Sequence, residues 1–256
     1  MFQPPYTIKI DCMQNKPPSK IEKALKLDFE SGKDNIWLTS QNTLRKLIGI
    51  LGIGLPVMLF LVLYIDAGYA TPLYSISHYY LTRACSVFVI IVSLLAIFLL
   101  IYKGKERVDF ILSTTAGLFA LCVVLFPTNN ISNICHDEKH LYSLTILHES
   151  TFRSTFHYIS AAIFLSCLAY MSLFLFTKSD KPPAQRGKPK RRRNRVFRTC
   201  GAIMVLALLV IVANFAGLIS NETFDQYHLM FWMETVAVVS FGTSWLIKAE
   251  VILKDN

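Results

Sequence analysis

Six apolar runs punctuate the chain, at 47–64, 84–102, 110–126, 156–176, 199–217 and 229–247. Each is close to the roughly 20 residues that carry a helix across a hydrocarbon core of about 30 Å. No Lys or Arg falls inside any of them. Glu234 is the one side chain within the runs that is ionised at neutral pH, and His157 sits at the edge of the fourth. Lipid offers no water to bond the backbone, so each run must satisfy its own N–H and C=O groups, which predicts helices. Pro56 predicts a kink in the first run, and Pro127 closes the third.

The polar stretches between the runs are charged unequally. The segment before the first run holds eight Lys and Arg residues, the second loop three, the fourth loop ten and the C-terminal tail two. The first, third and fifth loops hold only Arg83, Lys139 and Arg153, so 23 of the 26 cationic residues fall on alternate connections. Lys and Arg accumulate on the cytoplasmic side of membrane proteins. The expected fold class is therefore all-α: a polytopic membrane protein with six transmembrane helices and both termini cytoplasmic. A basic tail, 1–46, precedes a six-helix domain, 47–252, which contains a basic cytoplasmic loop, 177–198. Composition agrees, because 53% of the residues are hydrophobic and only 17% are charged. A soluble globule has too little interior to hide that much apolar surface. The first 46 residues contain no short apolar stretch with a small-residue cleavage site, so the first span is expected to act as an uncleaved anchor. Trp232 and Trp245 lie near opposite ends of the last run, the spacing of an aromatic belt.

Two cytoplasmic segments are strongly basic. In the tail, Ser19 and Glu22 have capping-box spacing, and Ile21, Leu25 and Phe29 share one helix face flanked by Lys20, Lys23 and Lys26. Such a helix lies on anionic lipid or simply forms a juxtamembrane stub; the pattern is compatible with both. The fourth loop reads KSDKPPAQRGKPKRRRNRVFR, with Arg191, Arg192 and Arg193 at its densest point. No aromatic platform accompanies the cluster, which argues against nucleic acid as a partner. The expected partners are the lipid bilayer and its anionic headgroups, each cation near the surface contributing about 1 kcal/mol.

Candidate chemistry collects on the opposite face. All six histidines fall there: His78 in the first external loop, His136, His140 and His148 in the third, His157 opening the fourth span and His228 just before the sixth. His136 and His140 are spaced to share one helix face, but the Glu that would complete a zincin motif is Asp137 here. That spacing fits a partial metal site or a solvated polar loop. Glu234 lies five residues into the sixth span, where a carboxylate is costly and faces protein or water. His157 is expected at similar depth, and His78 could close a pocket from the loop above. His78, His157 and Glu234 are thus the ligand-binding candidates, with packing by interhelical hydrogen bonds as the competing role. Ala237, Ser240 and Ser244 give the sixth helix a narrow face for close approach. None of the six cysteines forms a CxxC pair, and no GxSxG, Walker, GxGxxG or HExxH signature occurs. No cofactor or metal follows from the sequence.

Five stretches carry a resemblance: SISHYY (75–80), YKGKERVDFILSTTAGLFALCVVLFPT (102–128), FHYISAAIFLSCLAYMSLFLFTKS (156–179), RNRVFRTCGAIM (193–204) and FWMETVAVVSFGTSWLIKAE (231–250). With their YKG turn, FPT end and acidic residue followed by FGxSW, they resemble a group of uncharacterised bacterial six-span inner-membrane proteins. A fainter likeness is to DRAM-type six-span proteins. The first resemblance implies a cell inner-membrane location and carries no activity or site residue with it. The leading expectation is a non-enzymatic membrane protein that binds a lipid or small ligand at its periplasmic polar rim. The alternatives are a metal-dependent lipid-headgroup hydrolase or transferase built on His78, His157 and Glu234, and a small proton-linked transporter using Glu234. Few ionisable residues lie in the inner halves of the spans, which counts against transport.

Overall fold

The computed structural model describes residues 40–104, 106–131, 145–179 and 187–253. The expected tail helix around 19–29, the His136 and His140 pair, Cys135 and residues 180–186 of the basic loop lie outside them. Among the described residues there are helices and no strand. They are α1 (Gln41–Ala67), α2 (Cys85–Ile101), α3 (Arg107–Leu125), α4 (Thr151–Tyr170), α5 (Lys188–Phe215), the short α6 (Asn221–Gln226) and α7 (Leu229–Lys248). A 3-10 turn, Ile76–Leu81, bridges α1 and α2, and a π-helical turn, Met171–Leu175, extends α4. Among the described residues five helices are long and apolar enough to cross a membrane: α1, α3, α4 with its π turn, α5 and α7. The other long helix, α2, is apolar but has 17 residues, about 26 Å at the helical rise.

Each long helix packs on the next, α1 on α2, α2 on α3, α3 on α4, α4 on α5 and α5 on α7, and α7 returns to α1. The six therefore form a closed ring. Arg45, Asp109 and Arg193, near the starts of α1, α3 and α5, share a cavity with Tyr102, Phe176 and Lys248, at the ends of α2, α4 and α7. Directions thus alternate around the ring. Large apolar side chains stay on its outer surface, among them Ile50, Ile97, Leu118, Leu206 and Leu209. Long apolar helices whose outer surface is also rich in Leu and Ile make this a multi-pass membrane protein, with lipid as its solvent.

The α1–α7 seam closes on glycine. A Cβ on Gly242 would stand 2.7 Å from the Gly49 carbonyl oxygen, and one on Gly49 would stand 2.9 Å from the Gly242 carbonyl oxygen. The two backbones touch, as small residues permit in lipid. Ala237, Ser240 and Ser244 are buried on α7 as the sequence pattern suggested. Ser244 Oγ meets Ser172 Oγ at 2.7 Å, and Ser172 also donates to the Phe197 carbonyl at 2.9 Å, tying α7, the π turn and α5 together.

Helix boundaries differ from the apolar runs in a consistent way. α2 and α7 end within one residue of 84–102 and 229–247, whereas α1 begins at Gln41 and α5 at Lys188, well before 47 and 199. An apolar run measures the hydrocarbon thickness, and Arg, Lys and Gln prolong a helix readily in water. Pro189 occupies the first turn of α5, where a missing N–H is harmless. The latter part of the expected loop 177–198 is thus the opening of α5. Pro56 lies inside α1, which continues through it as one helix.

Trp245 is also placed differently from expectation. It is fully buried rather than facing lipid at the end of its helix, packed edge-on against Tyr102 at 4.9 Å and Phe176 at 5.2 Å between ring centroids. Trp232 remains exposed on the outer surface. A spacing along one helix fixes depth, but not which side of that helix meets the neighbours.

Candidate functional site

The three candidates His78, His157 and Glu234 converge on one turn. Ser75, Ile76, Ser77 and His78 open the 3-10 segment, and all four are buried. Glu234, from α7, accepts the Ile76 N–H through Oε2 at 2.6 Å. His157, from α4, meets Ser77 Oγ through Nε2 at 2.9 Å and the Phe126 carbonyl through Nδ1 at 2.8 Å. A carbonyl can only accept, so Nδ1 carries the hydrogen and Nε2 accepts from the Ser77 hydroxyl. His78 bonds Ser75 Oγ through Nδ1 at 2.7 Å, within its own turn. The depth argument from sequence and the structure thus agree that these three residues meet at one turn. Their hydrogen bonds go to the turn, however, rather than to one another.

Electrostatics keep this knot neutral around His78. Burial holds its imidazole down to about 4, and the charge that His157 would carry pushes in the same direction. With both nitrogens of His157 committed, a metal ion has no purchase on that ring. Among the described residues, no three His, Cys, Asp or Glu side chains are grouped to hold one.

Above the knot, the same end of the bundle opens into a cleft of about 1430 Å³. Tyr69 and Tyr74 come from the α1–α2 connection, Asn130 from the end of α3, Tyr158 from α4, Asn214 from α5, and Asp225 and His228 from the approach to α7. Glu149 adds a second carboxylate, and among the described residues no Lys or Arg lines the space. Tyr74 joins the cleft to the knot, since its ring packs edge-on against His78 at 5.4 Å. Burial pushes the Tyr74 phenol up to about 12, with the Asp225 carboxylate contributing next, so it stays a neutral donor.

Sequence-local devices hold the walls. The Asn130 side chain pairs with Leu147 as a strand would, donating to its carbonyl at 2.7 Å and accepting its N–H at 2.9 Å. Arg153 donates to the Pro127 carbonyl at 3.1 Å and the His148 carbonyl at 2.6 Å. Asn214, in the fifth apolar run, bonds the Ile219 carbonyl at 3.1 Å and Asn221 Oδ1 at 3.0 Å, stapling the α5–α6 turn rather than a neighbouring helix. His228 starts α7 in the left-handed region, with φ of 49°.

The basic candidates Arg191, Arg192 and Arg193 do not act as a set. Arg191 and Arg192 are exposed near the start of α5, while Arg193 is buried and bonds Glu250 Oε1 at 3.4 Å and the Ile247 carbonyl at 3.3 Å. Helical phase separates neighbours by about 100°, so one of three consecutive arginines turns to the interior. Sequence reasoning missed Ser75, Ser77 and the Phe126 carbonyl, because serines and backbone atoms have no depth signature in a hydropathy pattern. The polar SISH stretch inside an otherwise ordinary loop was the available signal. No protein-family model matches this chain, and neither a curated protein nor a solved structure does.

Proposed function

We propose that this is a six-span protein of a bacterial inner membrane, with both termini in the cytoplasm, whose non-cytoplasmic cleft binds a small ligand or lipid headgroup carrying an ammonium group. One observation carries the ligand class: among the described residues the cleft is lined by Glu149, Asp225, Tyr69, Tyr74, Tyr158 and His228 and by no Lys or Arg. Carboxylates balance an ammonium charge, and tyrosine faces attract it by the ring quadrupole. The volume exceeds what a single metabolite needs, leaving room for a headgroup with part of its backbone. Orientation rests on the distribution of 23 of 26 Lys and Arg residues to one side of an even-span arrangement. The motifs named above agree with a bacterial inner membrane.

The knot beneath the cleft supports this reading as its floor. Glu234 and His157 hold the turn that carries Tyr74, so a polar network deep in the bundle fixes the cleft wall without itself meeting the ligand. The test is direct. The purified chain in neutral detergent is titrated with choline and with ethanolamine, and binding is followed by calorimetry. Saturable binding of either is expected, with glycerol giving none. Replacing Glu149 by Gln and Asp225 by Asn together should weaken it at least tenfold. Equal binding by the double variant, or none by the native chain, would overturn the proposal.

A further inference from the structure

The outer cleft contains a side chain that neither its own helix nor the knot uses, that of His228. It stands at the N-cap of α7 in the left-handed region, with φ of 49° and ψ of 39°. That backbone is unfavourable for a residue with a Cβ. An N-cap side chain usually accepts a free N–H of the first turn, and His228 makes no such bond. Only its backbone is engaged: the N–H donates to the Asp225 carbonyl at 3.3 Å, and the carbonyl accepts the Trp232 N–H at 3.1 Å. Its imidazole has no hydrogen-bond or ionic partner among the described residues. The other described histidines differ. His78 and His157 bond Ser75 and Ser77 within the knot, and His148 is exposed and does not line the cleft. A residue held in a costly conformation with its side chain left over marks a position kept for function.

The titratable groups around His228 come from three directions. Asp225 stands on α6, Tyr69 and Tyr74 come from the α1–α2 connection, and Glu149 and Tyr158 come from the start of α4. The residues that α3 and α5 bring to the cleft carry no charge. The knot behind Tyr74 adds Glu234, His157 and His78, all bonded to the 75–78 turn, and burial holds His78 down to about 4. Carboxylates ordinarily titrate below about pH 5 and phenols near 10, whereas imidazole changes charge between about pH 5 and 8. Among the described residues that line the cleft, His228 is the one with an imidazole.

We propose that His228 makes capture of the ammonium group proton-dependent. The neutral imidazole leaves Glu149 and Asp225 to balance the incoming charge. The imidazolium is itself a cation beside those carboxylates, so it offsets them and repels the ligand. Linkage is reciprocal, and a bound ammonium group resists proton uptake on His228 by the same factor. The cleft thus holds its ligand at neutral pH and releases it in acid. Two unit charges about 7 Å apart in a wet cleft change affinity about three- to tenfold. This inference rests on the ammonium reading of the cleft and adds its regulation.

Calorimetry on the full chain in neutral detergent tests it, at about pH 7.5 and about pH 5.5. Choline and ethanolamine are the probes, since both stay cationic throughout that interval. The native chain should bind about three- to tenfold more weakly at the lower pH. An unchanged stoichiometry per chain separates weaker binding from loss of folded protein. His228→Asn, which tolerates the left-handed backbone and has no titrating proton, should bind equally at both pH values. His148→Asn should keep the native dependence. If His228→Asn does not fold, His228→Gly takes its place with the same expectation. Equal native binding at both pH values, a dependence that survives in the His228 variant, or one removed equally by His148→Asn would overturn this inference alone. Binding of neither probe at either pH would overturn the ammonium reading and this inference with it.

Discussion

Replacing Glu234 separates the anchoring of the 75–78 turn from ligand capture above it. Its carboxylate accepts the N–H of buried Ile76 at 2.6 Å, linking α7 to a turn far away in sequence. An internal hydrogen bond contributes about 1 kcal/mol, and more when the acceptor is ionised. Glu234→Gln keeps a carbonyl oxygen at the same reach, so it should cost about 1 kcal/mol or less. Glu234→Leu removes the acceptor and leaves the Ile76 N–H unmet in the interior, adding about 1–3 kcal/mol. For a chain of this size each kcal/mol moves the melting temperature by about 2–4 °C. The Gln variant should therefore melt within a few degrees of the native chain, and the Leu variant, losing about 2–4 kcal/mol in all, roughly 4–16 °C lower. Loss of helical circular dichroism in neutral detergent reads this out. Ser77→Ala removes the other anchor, the bond to His157 Nε2. Because both bonds hold one turn, the Ser77 and Glu234 changes should be non-additive. Equal melting of the Gln and Leu variants, or a Leu variant as stable as the native chain, would refute the anchoring role.

Three further expectations follow from the geometry. Gly242→Ala should destabilise by about 1–3 kcal/mol, because its Cβ meets backbone at 2.7 Å. Gly54→Ala, with nothing within 4 Å, should be neutral or stabilising in the same melts; parallel effects would refute the close α1–α7 contact. His78 should make stability depend on acidity: a base held near 4 in the fold and near 6.5 when unfolded contributes no penalty above about pH 6.5. As pH falls from there toward 4, only the unfolded chain binds the proton, so stability is lost, on the order of 3 kcal/mol. His78→Asn should flatten that slope in melts at successive pH values, and an unchanged slope would reject the assignment. Reporter fusions after Lys178 and after Lys254 should read cytoplasmic, and one after Asn133 periplasmic; a periplasmic signal near Arg192 would sink the six-span orientation.

Legibility varied with the kind of information a hydropathy pattern holds. The runs at 84–102 and 229–247 match α2 and α7 because apolar composition changes abruptly at both ends. The same pattern could not show that α5 starts at Lys188, since a helix in water and a loop in water are equally polar. Depth along a span was readable, and it placed Glu234 and His157 at one level. Azimuth was not, which is why Trp245 and Arg193 turn out to be interior. The ring closure was also hidden. Gly49, Gly52 and Gly242 read as isolated glycines until the partner backbone shows what they make room for.

That closure bears on how the protein is made. α1 is the first of these helices to leave the ribosome, and the surface that Gly49 and Gly52 present has its mate in the last. Through most of synthesis this notched flank faces lipid, or whatever insertion machinery attends it, with no helix to fill it. Only when α7 enters does the bundle become a cylinder, so the two end cavities acquire their full walls at that moment and not before. A chain stopped short of α7 would insert yet leave the ring open. Release from the insertion machinery and closure of the ring would then be a single event.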